Sequence, residues 1–252
     1  MRLVAGLAAT TAALLMTSAA HATIIYQTDF EAPTYSTGLL GGQNGWSTFG
    51  SGSAVMVDDG MPIDGVQSAK ITGALAGGQS GPYHTNPSGI AKVTVSADIL
   101  LTHSTADRGW QFSAIGPSLL GFTGGIDVDA NTNAIRAITS GFTNIGTFSR
   151  DTKHRVDILL DYGAQTFGVK LDGATLASGL AFCGDNGPCA GAPTPGYSTV
   201  LFDTFGVSGA DAGYLDNILV QSTPGVPEPS AWALSLLGFG LLGAALRRRA
   251  PA

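Results

Sequence analysis

The chain has 252 residues, 36 of them glycine, with 12% charged residues and a formal net charge of −6. That length suffices for one sizeable core, and the acidic balance argues against nucleic acid and anionic lipid as partners. Low charge does not imply disorder here, because apolar alternation persists along most of the sequence.

The chain opens on a short basic pair, Met1-Arg2, followed by the apolar run Leu3 to Met16 and the small-x-small triplet Ala20-His21-Ala22. This order predicts a signal peptide over residues 1–22, cut after Ala22 by signal peptidase, with Ala20 and Ala22 as the recognised small residues. The apolar run is too short to serve as a permanent span.

Residues 23–222 predict one β-domain. Strands are expected at Ile24–Phe30, Val66–Ile71, Ile90–Leu100, Gly109–Ile115, Ala134–Thr139, His154–Tyr162, Phe167–Leu171, Thr175–Ser178, Thr199–Val207 and Tyr214–Val220. The clearest is HRVDILLDY, where Val156, Ile158, Leu160 and Tyr162 share one face and Arg155, Asp157 and Asp161 the other. After Gly163-Ala164-Gln165 the inward set continues as Phe167, Val169 and Leu171, so a hairpin with one wet face is predicted. Many short strands, Gly-rich turns and no convincing helix predict an all-β, antiparallel two-sheet sandwich. Eight lysines and arginines face seventeen acids between residues 23 and 223, a balance of −9.

Three stretches are similar to concanavalin-like (LamG-type) jelly rolls: Thr28-Asp29-Phe30-Glu31 with Gly41-Gly42-Gln43-Asn44-Gly45-Trp46, then HRVDILLDYGAQTFGVKLDG, then Tyr214-Leu215-Asp216-Asn217-Ile218. The resemblance implies a jelly-roll body. Glycoside hydrolysis is the enzymatic activity that fold most often hosts, and it needs two flanking carboxyl groups. Jelly-roll glucanases carry them on a Glu-x-Asp-x-x-Glu strand, which is missing here: Glu31 is the only glutamate of the domain. Asp127 and Asp129 could substitute. His84, His103 and His154 are scattered, with no metal-binding spacing.

Asp127 to Asn133 imitates half of a calcium loop, but Thr132 stands where glycine is needed and Ile138 where an acid is needed. An Asx-rich turn between two strands is expected instead. Asp216 falls on the parity of Tyr214, Ile218 and Val220, and a carboxylate on that apolar face needs a partner. Glu31 on the first strand is a candidate neighbour, and the pair together is a candidate structural calcium site of the kind related jelly rolls keep near their termini. The alternative is that Asp216 accepts backbone N–H bonds in a turn. Cys183 and Cys189, close together in an exported chain, predict a disulfide worth about 2 kcal/mol at most. Trp46, Tyr83, Trp110 and Tyr197 lie in or beside Gly-rich segments and are candidates for stacking on sugar rings, the alternative being that they plug the ends of the core.

The tail, residues 223–252, has three parts. Pro224 to Pro229 is a Pro-rich hinge. Ala231 to Leu246 is uncharged, and as a helix its 16 residues would span about 24 Å against roughly 30 Å of hydrocarbon. Arg247-Arg248-Arg249 then stays cytoplasmic and predicts one C-terminal transmembrane helix. Val226-Pro227-Glu228-Pro229, the Leu/Gly-rich segment and the arginines together resemble the PEP-CTERM sorting signal of Gram-negative bacteria. That resemblance implies recognition by the membrane-embedded protease exosortase and anchoring on the periplasmic side of the inner membrane. Release or surface attachment would follow, in association with exopolysaccharide.

The expectation is an exported surface or matrix protein touching exopolysaccharide without cleaving it. The alternatives are a metal-dependent hydrolase or lyase using Asp residues, and a purely structural biofilm component. The processed protein should lack both residues 1–22 and Arg247–Arg249. Mass spectrometry of the exported form from its own host checks this, and retained arginines would mean a plain membrane anchor.

Overall fold

The computed structural model describes residues 22–50, 54–73, 79–102, 109–116, 122–183, 196–205 and 211–223. Residues 1–21 of the predicted signal peptide, the tail from Pro224 onward, His103 and Cys189 lie outside the described residues.

The described chain is an antiparallel sandwich of two sheets. The larger sheet holds β1 (Ile24–Thr28), β2 (Gly38–Leu39), β4 (Val55–Asp58), β5 (Ser68–Thr72), β7 (Lys92–Leu101), β12 (His154–Asp161), β13 (Thr166–Leu171), β14 (Ala174–Ala181) and β16 (Ala212–Ser222). The smaller holds β3 (Trp46–Phe49), β6 (Gln79–Ser88), β8 (Gly109–Ile115), β9 (Phe122–Asp129), β10 (Ala134–Ile138), β11 (Phe142–Thr147) and β15 (Tyr197–Phe205). Its order is β11-β10-β9-β8-β15-β6-β3.

The predicted central hairpin forms β12 and β13, paired from Val156–Leu171 to Asp161–Thr166. Its turn is set by Asp161, whose Oδ1 accepts the amides of Gly163 and Ala164 at 3.0 Å each. The next turn, Asp172-Gly173, has φ of +49° and +80°, the left-handed pair that a two-residue hairpin requires. Inward side chains of both sheets make the core: Val93, Val95, Ile99, Val156, Ile158 and Leu160 on one side, Trp110, Phe112, Ile126, Val128 and Phe202 on the other. The Asx-rich turn also forms as expected, with Asp129 Oδ1 accepting the amides of Asn131 and Thr132 at 3.1 and 2.8 Å.

Strand β16 organises the larger sheet. One side of it pairs with β7; the other is shared, by β5 along Ala212–Leu215 and by β1 along Ile218–Gln221. A bulge between Asp216 and Leu219, with Asn217 at φ +45°, separates the two halves. This corrects the single parity expected for the strand. Leu215, Ile218 and Val220 are the core residues, whereas Tyr214 lies opposite Lys70, which sits 5.6 Å over its ring. One extra residue in the bulge transfers the inward set from odd to even numbers.

Cys183 is fully buried in a small cluster with Ile138 and Phe122. Its predicted bond to Cys189 is tested by thiol labelling under denaturing, non-reducing conditions: no labelled cysteine is expected in the exported protein, and two would overturn the pairing.

Candidate functional site

On the smaller sheet, Trp110, Phe112, Ile126, Val128, Val200 and Phe202 point into the core, so the alternate residues occupy the opposite face. There the register aligns Arg136 on β10, Asp127 on β9, Gln111 on β8 and Asp203 on β15 in one cross-strand row. Arg136 donates to Asp127 Oδ2 through Nε, at 2.7 Å, and through Nη2, while its Nη1 lies 2.9 Å from Asp129 Oδ2. Gln79 reaches across from β6, its Nε2 donating to Gln111 Oε1 at 3.3 Å and to Asp203 Oδ2.

This row is nearly dry. Asp203 is 0% exposed and Asp127 2%. Burial pushes the Asp203 carboxyl well above the usual carboxylate range, and the neighbouring Asp127 adds to the rise. Burial also raises Asp127, opposed by the Arg136 guanidinium. Asp203 Oδ1 and Ser113 Oγ have no hydrogen-bond partner among the described residues. Both atoms are closed off from solvent, so each is an unmade hydrogen bond inside the sheet face.

Beside the row, Phe49, Gln79, Tyr83, Ile115, Phe122 and Leu201 line a pocket of about 160 Å³. Phe49 and Tyr83 form its aromatic corner, with ring centroids 6.4 Å apart and planes tilted by 56°. Gly81 lets β6 lie close to β15 here: a Cβ on it would stand 2.2 Å from the Phe202 carbonyl oxygen.

Of the four aromatic residues read as sugar platforms, only Tyr83 keeps an accessible ring. Trp46 and Trp110 are 1% exposed and Tyr197 is 0% exposed, which corrects the stacking expectation for all three. Each ring is covered on both faces by core side chains, and no sugar reaches it. Trp110 stacks on Phe202 at 5.8 Å, and Trp46 is tilted against Phe30 at 5.5 Å. Asp127 and Asp129 are likewise not free to act as an acid–base pair, because Arg136 binds both. His84 Nε2 lies 2.9 Å from the Asn44 carbonyl oxygen and His154 Nδ1 2.7 Å from Asp172 Oδ2.

Asp216 lies at the β16 bulge, near enough to Glu31 to feel its charge, although each carboxylate has its own backbone partners. Glu31 Oε1 accepts the amides of Val66 and Gln67 at 2.7 and 3.0 Å. Asp216 accepts from Asn217 N at 2.7 Å and Asp64 N at 3.3 Å. Asp216 is 1% exposed; burial, reinforced by the charges of Glu31 and Asp98, pushes its carboxyl up to about 7. Asp98 is compensated by Arg155 Nη1 at 3.0 Å and Asn217 Nδ2 at 2.9 Å. The all-oxygen donors and surplus negative charge suit a hard cation such as calcium. Among the described residues, however, no three His, Cys, Asp or Glu side chains are grouped to hold a metal, and these carboxylates are turned toward backbone amides. The turn reading therefore accounts for the contacts of Asp216.

The class this architecture defines is the all-β antiparallel two-sheet sandwich. The fold is similar to that of a sialidase (TM-score 0.58, 11% identity, 80% of this chain and 19% of that one). It is similar also to the conserved carbohydrate esterase of Shiga toxin-encoding bacteriophage phi24B (TM-score 0.57, 12% identity, 81% and 100% covered). A third likeness is to a cellulose-induced protein, Cip1 (TM-score 0.55, 17% identity, 79% and 97% covered). The chain thus spans 19% of the sialidase's length. At these identities the likeness establishes the sandwich and nothing of its chemistry. No curated protein matches the sequence. More particularly, residues 225–249 match the PEP-CTERM protein-sorting motif, so the chain carries the sorting signal that Val226-Pro227-Glu228-Pro229 and the three arginines announce.

Proposed function

We propose that this is an exported, transiently membrane-anchored protein, processed at its PEP-CTERM tail by an exosortase-type protease, whose sandwich associates with exopolysaccharide without cleaving it. The sorting motif at 225–249 supports the route. The observation that carries the binding role is the pocket on the outward face of the smaller sheet, with Phe49 and Tyr83 as its aromatic corner and Gln79 as its polar wall. Weak single sites are enough for a matrix role, since many copies along one polymer raise the effective concentration.

One observation favours the second reading, glycan cleavage. Asp203 and Asp127 flank Gln111 on its two neighbouring strands, and two strand spacings put their Cα atoms about 9.5 Å apart. Glycoside hydrolysis requires a pair of carboxyl groups, and this face presents two. Their burial and the Arg136 clamp weigh against it.

The exported protein should co-sediment with the host's own polysaccharide, and Tyr83→Ala should reduce the bound fraction about tenfold or less, the loss of one stacking contact. Failure of the native protein to sediment would leave a purely structural role. Accumulation of reducing ends, abolished by D203N, would establish cleavage.

A further inference from the structure

The pocket on the smaller sheet carries more than a general affinity for polymer. Both amide hydrogens of Gln79 are committed on its far side, to Gln111 Oε1 and Asp203 Oδ2. The polar atom Gln79 has left for the pocket is therefore its Oε1, an acceptor. Apart from Gln79, the walls are aromatic or aliphatic, save for the Tyr83 hydroxyl, and no lysine, arginine or histidine lines them. The Arg136 guanidinium on the same face is already divided between Asp127 and Asp129.

A ligand for this pocket must then donate hydrogen bonds, present an apolar face to Phe49 and Tyr83, and bring no anion. An anionic group here would be desolvated without a counter-charge from the walls. The volume of about 160 Å³ is well under the roughly 300–1,000 Å³ of drug-sized sites and suits one ring. A pyranose has one apolar ring face and hydroxyl donors at its rim. We propose that the pocket bounded by Phe49, Gln79, Tyr83 and Leu201 binds a single uncharged pyranose unit and rejects uronic acids.

This rests on the glycan-binding reading above and specifies which sugars satisfy it. The test is saturation-transfer NMR on the full-length exported protein with four probes: methyl glucoside, methyl galactoside and the two corresponding methyl uronides. At least one neutral glycoside is expected to bind, with affinity at least tenfold above its uronide. Leu201→Arg, which fills the pocket and adds a cation, should abolish neutral binding. Thr143→Ala, exposed on strand β11 and outside the pocket, should leave neutral binding within a few-fold, and circular dichroism should show that L201R is still folded. Uronides binding as well as their neutral counterparts would overturn the proposal. So would neutral binding that survives L201R, or four inert probes. If the four probes are inert while the protein still sediments with polysaccharide, the pocket assignment fails and the broader function stands; if neither occurs, both fail.

Discussion

Replacing Trp46 by alanine is expected to lower the stability of the sandwich by about 3–5 kcal/mol, the range for removing a large buried aromatic side chain. The ring is 1% exposed and tilts against Phe30 at 5.5 Å and edge-on to His84 at 5.3 Å. Its indole N–H is shared between the hydroxyls of Tyr26, at 3.0 Å, and Tyr35, at 3.1 Å. Truncation removes both the packing and the donor for two tyrosine oxygens, and burial holds the Tyr26 hydroxyl far above its ordinary pKa. For a domain of this size the melting temperature should fall by about 10 °C or more. Trp46→Phe keeps one aromatic ring while losing the donor and part of the packing, so it should cost less than alanine, about 1–2 kcal/mol. Urea denaturation measures both. A W46A protein of native stability that no longer binds polysaccharide would restore Trp46 as a sugar platform.

The second large effect is a pH dependence at Asp216. Its carboxyl is raised from 3.8 to about 7 in the folded protein. Between about pH 4 and 7 the folded state holds a proton that the unfolded chain has released, so stability from this group is lost as pH rises through that window. Above 7 the charge is buried uncompensated, at a cost of roughly 4 kcal/mol. With chelator present, the native protein should therefore weaken from pH 5 to 8. Asp216→Asn should flatten that slope and be the more stable protein at pH 8. If Glu31 and Asp216 share a calcium ion, added calcium at pH 8 will recover the lost stability in the native protein and do nothing for the variant. Denaturation midpoints across pH, with calcium and with chelator, distinguish the two cases. A slope unchanged by D216N would place the titration elsewhere.

The elements legible from sequence are those in which alternation is unbroken. Gly109–Ile115 forms as expected to the residue, although it is buried on both faces, and His154–Leu171 forms the predicted hairpin, because polar and apolar residues there alternate against a single wet face. Strands β6 and β9 escaped because Gly81, Pro82, Gly124 and Gly125 interrupt the pattern at the places where neighbouring strands approach most closely. The same blindness applied to the candidate site. Gln79, Gln111 and Asp203 come from three strands distant in sequence, and nothing local to any of them signals the row they form. The Gly-rich neighbourhoods of Trp46 and Trp110 leave the sequence open between sugar platform and core plug, and the structure decides for the core: a Cβ on Gly213 would stand 2.6 Å from the Trp110 ring.

By itself the sequence determined the all-β class, the acidic surface and the sorting tail, since these follow from composition, period-two alternation and contiguous motifs that act before or without folding. Tertiary structure alone decided which aromatics are core and which face of which sheet holds dry carboxylates. It also decided that Asp216 feels the charge of Glu31, 185 positions away in the sequence, where β1 and β5 divide one strand between them. Burial and electrostatic environment are set by whatever packs across the sheet, and that depends on long-range register and on a single bulge residue, which no local pattern encodes.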